Sequence, residues 1–432
     1  MRSLWRRPRL GFLFTRSTVL GLLAVFIMLP QTDTFRLSPA KRTASEYLFS
    51  LAGWEVMNVP YKWYQLLLSA LPGSDPSREE RLASLDRYLQ LARMVRKEKD
   101  RLEGLSFRSS STLSTGSIRD RSERSTDYLD ELTALKEVAR ADAEWAIESE
   151  LSEVLIEENL TSMFGFLFPP VDLRFDRPPT VLIVSPRDRI ELTETVLLHA
   201  DVPPMERDRL ETELLERYDL SSLVADLGGI ATYPSLVNDI RELRSISRLA
   251  AHEWLHQYFT FHSLGRHYRS SSELLAINET TADMAGRELG DTVFARMGGD
   301  LNESESRYLS VEERNPEFTR EMRETRQRTE ELLDEGKIVE AEQYLKERWW
   351  FLRLRGFGLR KLNQAYFAFY GSYASSAASV SPIGAQLAEL RQRFPGVGGF
   401  LKAVATISNY DEYLELLERY GVKTGSEETG QD

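Results

Sequence analysis

The sequence predicts a mostly helical α+β fold, a small mixed sheet beside a pair of helices, preceded by an N-terminal apolar segment and a helical stalk. Three observations predict it. β-rich runs are confined to residues 179–234. Apolar residues recur at helical spacing through most of the rest of the chain. Residues 19–29 carry no charge and lie behind an arginine cluster.

Arg2, Arg6, Arg7 and Arg9 precede the stretch Leu10 to Pro30. Its apolar heart is short of the ~20 residues of a full span unless residues 11–14 are included across Arg16. It reads as a signal peptide or a signal anchor, and the absence of a small-x-small cleavage pattern after Leu29 favours the anchor. Residues 1–31 are then a basic cytoplasmic stub and a single pass in the cell membrane, with everything after residue 30 extracytoplasmic. Residues 32–160 form a membrane-proximal helical region. Within it, 47–71 places Glu55, Pro60 and Lys62 among Trp54, Tyr61, Trp63 and Tyr64. Those charges argue against a second span and leave a membrane-surface helix or a buried core helix. Residues 78–102 and 127–158 are periodic and charged, as in an antiparallel stalk that holds the next domain away from the bilayer. The Ser/Arg-rich stretch 106–126 between them lacks periodicity and reads as a linker or mobile hairpin tip.

A domain is expected at about 165–415. Pro179–Pro186 and Ile190–His199 read as β-rich runs. Ala225–Pro234 is a third candidate strand, whose Gly228-Gly229 pair and closing proline favour a sheet edge. Residues 312–334 and 338–354 suggest a solvated helical hairpin. A disordered tail is expected at 423–432.

The chain carries 55 basic and 67 acidic residues, a net charge of −12. There is no extended basic patch after residue 30, which excludes a nucleic-acid partner. With no cysteine, disulfides and thiolate metal ligation are also excluded. No internal repeat, nucleotide loop or serine-nucleophile elbow occurs, and nothing in the chain specifies an oligomeric state.

Chemistry concentrates in Ala251-His252-Glu253-Trp254-Leu255-His256-Gln257. Four of the five histidines fall within 252–267. The preceding residues Ile240, Leu243, Ile246 and Leu249 keep a helical period that runs into the motif. On that helix His252 and His256 project ~40° apart and can close on one metal ion. Glu253 sits one position round, where a general base reaches a water rather than the metal. Two histidines merely satisfied within a helix are the bland alternative.

Two residues compete to be third ligand. His262 follows His252 by ten positions, the metzincin spacing H-E-x-x-H-x-x-G-x-x-H, but Phe259 stands where that pattern needs a glycine to turn the chain. A continued helix carries His262 roughly 240° round from His256. Glu279 instead lies on a second expected helix, 272–289, and completes the His2Glu set of catalytic zinc with one position left for water. Asp283, one turn later, is of the type that orients a metal-bound imidazole.

Residues 276–283, Ala-Ile-Asn-Glu-Thr-Thr-Ala-Asp, resemble the second signature of thermolysin-type gluzincins. The resemblance implies that Glu279 ligates zinc and that Asp283 orients a zinc-binding histidine. It implies also that the edge strand before the metal helix, here Gly229, Ile230, Ala231 and Thr232, pairs with the backbone of a peptide. The match is confined to this core. Asn363, Tyr366, Tyr370 and Tyr373 share a helical face, in a tract similar to a segment following the metal ligands in bacterial zinc aminopeptidases. Such a stripe is either core or a source of an oxyanion donor. The Gly-x-Met-Glu-Asn pattern that anchors a substrate amino terminus in one aminopeptidase group is absent.

These readings converge on a membrane-anchored zinc metallopeptidase acting on peptide or protein substrates, with Zn2+ on His252, His256 and Glu279. An inactive metal-binding helical scaffold that presents a surface to a partner is the non-enzyme alternative. A metzincin-like peptidase using His262 is the enzymatic one.

Overall fold

A computed structural model of the chain describes residues 37–69, 77–109, 115–162, 164–239, 242–302, 315–374 and 376–424. Helices α1 (Pro39–Thr43), α2 (Leu51–Ser69), α3 (Arg78–Ser109) and α4 (Thr115–Glu157) come first. Strands β1 (Leu173–Phe175), β2 (Thr180–Pro186) and β3 (Glu194–Leu198) follow, then α5 (Pro204–Tyr218) and strands β4 (Leu220–Asp226), β5 (Gly229–Ile230) and β6 (Ser235–Val237). Helices α6 (Leu243–Thr260), α7 (Ser263–His267), α8 (Ser272–Arg296), α9 (Pro316–Asp334) and α10 (Ile338–Leu354) come next. The last four are α11 (Gln364–Tyr370), α12 (Ile383–Gln392), α13 (Val397–Val404) and α14 (Tyr410–Arg419).

The α+β, mostly helical character is as expected, but the strands form two three-stranded sheets rather than one. The first has the order β3-β2-β4 and is antiparallel throughout; the second, β1-β6-β5, is mixed, with β1 parallel and β5 antiparallel to β6. Central strand β2 shows why a continuous apolar run suits the middle of a covered sheet. Its period of two sends Leu182 and Val184 to one face, with Val196, Leu210 and Leu214, and Val181 and Ile183 to the other, with Leu223 and Ala365. The run 225–234 is not one strand: β4 ends at Asp226 in the first sheet, and the chain bends at the glycine pair to start β5 in the second.

The main core is built on α6 and α8. Helix α6 is buried almost all round by Ile246, Ala251, Trp254, Leu255 and Phe259, the pattern of a helix enclosed by others. The expected stalk is partly this same core. Leu85 and Tyr88 of α3 and Ile147, Leu151 and Leu155 of α4 join it, while Leu91, Val95 and Leu132 continue the helix pair beyond it. The half of the pair nearest the domain is therefore structural support for α6, not a spacer. Most of the Ser/Arg stretch 106–126 proves helical, since α3 runs to Ser109 and α4 starts at Thr115; weak apolar periodicity does not prevent a helix whose partner helix is already in place.

Helix α2 is docked on the domain. Glu55, Asn58 and Lys62 are buried with Trp54 and Val59, whereas Val56 and Met57 are exposed. Lys62 Nζ lies 2.7 Å from Glu148 and 2.9 Å from Glu144, both on α4, and 3.5 Å from Asp172. The same glutamates accept hydrogen bonds from the Leu173 and Phe175 amides at 2.8 Å, so the outer edge of β1 is covered by carboxylates. Helices α9 and α10 pair as expected, although Phe318, Met322, Leu345 and Leu352 pack with Phe357 and Phe367 instead of facing solvent. No helix among the described residues is long and apolar enough to cross a membrane. The segment 1–31 and the tail from 425 onward lie outside the described residues.

Candidate metal centre

The site is made by one helix pair, and glycines set its closeness. A Cβ on Gly290 would sit 2.3 Å from Arg248 Cα, and one on Gly286 3.0 Å from both Cα and N of His252. The Gly-x-x-x-Gly spacing on α8 thus lets the α6 backbone approach where only hydrogen fits. Below this contact, Asp291 receives two hydrogen bonds from Arg244 at 2.8 Å each and two from Arg248 at 2.7 Å each. This doubled fork closes the end of the pair distant from the histidines.

At the other end three ligand atoms converge. His252 Nε2 and His256 Nε2 are 3.0 Å apart, and Glu279 Oε2 lies 3.4 Å from His256 Nε2 and 4.0 Å from His252 Nε2. All three fall within 4.8 Å of one another. Ligands of a tetrahedral ion with bonds of about 2.0–2.1 Å stand ~3.3 Å apart, so the spacing fits a small metal ion. The donor chemistry fits too, since Glu279 Oε2 is buried with no hydrogen-bond donor aligned on it. Two imidazoles and a carboxylate leave a fourth position open.

Charge at the site follows from burial. Desolvation, with His256 adjacent, pushes His252 down to about 4. For His256 burial acts in the same direction, but the Glu279 carboxylate outweighs it and carries the group up to about 9. Glu279 is held down to about 2, burial opposing and His256 prevailing. Glu253 is buried outside the ligand group, and desolvation lifts its carboxyl to about 8. Buried Asn278, next to Glu279, hydrogen-bonds His256. Its role is not legible from spacing alone.

Asp283 acts on His252 through its charge, while the backbone at Ala282 is the hydrogen-bonding partner of that imidazole. The Asp283 carboxylate also accepts from Arg287 Nε at 3.0 Å. Tyr373 is within hydrogen-bonding reach of Glu279, with its ring centroid 6.5 Å from that of His252. Burial pushes its hydroxyl well above the ordinary phenol range, so it stays a donor. Tyr366 and Tyr370 pack on each other at 4.6 Å and against the first sheet. They line, with Tyr373 and Asp283, a cleft of about 770 Å³ whose floor is residues 223–226 of β4. Of the three tyrosines, Tyr373 is the one that meets the ligand group.

His262 is outside that group. Helix α6 continues through Phe259 to Thr260, and His262 then precedes α7 with Nδ1 2.8 Å from Tyr258 O and its ring on Tyr258 at 4.1 Å. The expected substrate strand is only partly realised. Gly229 and Ile230 form β5, a sheet edge paired only with β6, and a Cβ on Gly229 would be 2.6 Å from Glu253 Oε1. Ala231 lies past the end of β5. Thr232 is consumed internally: its amide bonds Ile230 O, its hydroxyl donates to Glu55 of α2, and its carbonyl accepts from Gln257 of α6. Its amide and carbonyl are both already hydrogen-bonded within the domain.

No family model matches this chain. No curated protein or solved structure does either. What the structure does bring together is His252, His256 and Glu279, a group that could hold a metal ion.

Proposed function

We propose that the chain is a zinc-dependent peptidase that hydrolyses peptide bonds, with His252, His256 and Glu279 as the zinc ligands. The convergence of two imidazoles and a carboxylate, with the buried Glu253 beside them, carries this reading. Zinc bound there would supply Lewis acidity toward water and the scissile carbonyl. Glu253 removes a proton from the attacking water and returns it to the leaving amine. Desolvation raises its carboxyl above the ordinary range, the direction a proton acceptor working near neutrality needs. Tyr373, a buried neutral donor on the cleft wall, stabilises the developing oxyanion. Among the described residues β5 pairs only with β6, and its edge at Gly229, next to Glu253, supports backbone pairing with an extended peptide. The arginine cluster ahead of residues 10–30 supports a membrane-anchored enzyme with an extracytoplasmic catalytic domain.

Metal analysis and a peptide library test the reading together. The full chain should hold about one zinc per molecule, matching one three-ligand set. Glu253→Gln should keep that zinc and lose hydrolysis by several orders of magnitude. Wild-type protein with full zinc occupancy and no activity on any peptide would instead favour the scaffold reading, and unchanged occupancy in Glu279→Gln would sink the ligand assignment.

A further inference from the structure

The chain turns back on itself between Thr161 and Leu167, which bridge each other. The Ser162 amide donates to Phe166 O at 2.8 Å, and the Gly165 amide donates to Ser162 O at 2.9 Å. Gly165 takes a positive φ of 78°, which the turn requires and a side chain would resist. At the tip, Phe164 is 77% exposed and Phe166 43% exposed, with the two rings stacked at 6.1 Å. The base is rigid. Phe168 packs on Phe261 at 4.7 Å, and Pro169 O accepts from Trp254 Nε1 of α6 at 3.0 Å. Two aromatic rings are thus held out in solvent on a fixed convex turn, and no groove or partner side chain receives them among the described residues.

Next to Phe261 stands Arg266, followed three positions on by Arg269, in an acidic protein. Arg266 donates to Phe261 O at 2.9 Å, and Arg266, His267 and Arg269 are all exposed. Among the described residues neither arginine has a carboxylate within ion-pairing distance. The chain's path into the domain supplies a third observation. Ser38 already bonds Glu194 at 2.6 Å, and Tyr47 O accepts from His199 N at 2.8 Å, so the domain surface begins at residue 38. Residues 31–37 alone separate it from the apolar stretch, and fully extended they reach ~25 Å.

We propose that the turn carrying Phe164 and Phe166 is a second membrane contact, the two rings entering the interface of an anionic bilayer while Arg266 and Arg269 face its headgroups. An aromatic pair on a convex tip suits the headgroup and acyl boundary, where amphipathic and aromatic groups partition. Arginines beside it add attraction to anionic lipid. The short tether keeps the start of the domain within ~25 Å of the apolar stretch. This rests on the reading of residues 10–30 as an anchor and is independent of peptidase activity.

The chain has no cysteine, so a single introduced one is a unique label site. Full-length Phe164→Cys carrying an environment-sensitive fluorophore should blue-shift and brighten several-fold in vesicles of phosphatidylglycerol and phosphatidylcholine. The same label in Val339→Cys, at an exposed position of α10, should not respond. Arg266→Gln with Arg269→Gln should reduce the Phe164→Cys response on anionic vesicles. A label at 164 that stays aqueous while the protein co-floats with vesicles overturns the proposal and leaves the anchor standing. A blue shift without lipid that grows with protein concentration also overturns it, in favour of contact between copies. An arginine-independent response overturns the headgroup half.

Discussion

At the scale of the residue, Tyr373 tests whether its hydroxyl serves chemistry or architecture. It touches both: it reaches Glu279 and it lines the cleft beside Asp283. Tyr373→Phe is expected to lower kcat by about 10²–10³ with zinc retained, the loss typical of one oxyanion donor. If its work were only to orient Glu279, metal affinity would fall ~10–100-fold instead, with kcat of the loaded enzyme preserved. Steady-state kinetics at saturating metal, paired with competition against a chelator, separates the two. Tyr366→Phe is the control, because that residue lines the same wall but packs toward the first sheet. The candidate ligands were legible in the sequence because His252 and His256 stand at helical spacing and Glu279, with Asp283 one turn on, falls on the next expected helix. Tyr373 was only one of a stripe. Its place beyond the end of α11 separates it from Tyr366 and Tyr370, and helical periodicity carries no information about where a helix stops.

At the scale of the element, α6 and α8 act as one device, and their two glycines predict different failures. Gly290→Ala would put a methyl 2.3 Å from Arg248 Cα and 2.4 Å from its N, contacts that backbone cannot yield to locally. The helices must part, at a cost of about 3 kcal/mol or more, and thermal denaturation should show it. Gly286→Ala meets His252 at 3.0 Å. A shift of a few tenths of an ångström relieves that, at a cost of ~1 kcal/mol, but it displaces a ligand, so zinc affinity should fall more than stability does. Equal effects of both substitutions on zinc would contradict this division.

Asp291 adds a pH signature at the far end of the pair. Burial would raise it, but Arg244 and Arg248 hold it down to about 2. A depressed carboxylate stabilises fully above its ordinary pKa, and that stability is lost as pH falls from ~4 toward 2, about 2 kcal/mol in all. Asp291→Asn should be less stable at neutral pH and should lose this acid-dependent increment. The helix pair could be read from apolar and charged periodicity. The two sheets could not, because β1, β5 and β6 have only two or three residues each and their pairing partners are set by tertiary contact.

At the scale of the whole molecule, the segment leading from the N-terminus is fastened into the domain that carries the site. Glu55 of α2 accepts hydrogen bonds from the Thr232 hydroxyl and the Tyr233 amide, just beyond β5, and Lys62 plugs a cluster of Glu144, Glu148 and Asp172. In the sequence these two charges argue only against a membrane span. Their partners lie 80 and more positions away, which no local pattern encodes. The cluster has more acid than base: Arg140 adds one contact to Glu144 at 3.3 Å, and burial lifts Glu148 to about 7. A carboxyl raised in the folded state contributes stability that is present below its ordinary pKa and lost as pH rises through about 7. Lys62→Met removes the cation that opposes this rise. It should cost ~3–5 kcal/mol at neutral pH, the range for breaking a buried ion pair on one side. The loss should shrink toward pH 4, where the acids protonate without the lysine. Chemical denaturation across that pH range measures both terms. A cost that does not vary with pH would mean that Lys62 contributes packing alone, and an effect near zero would mean that α2 docks without its charge.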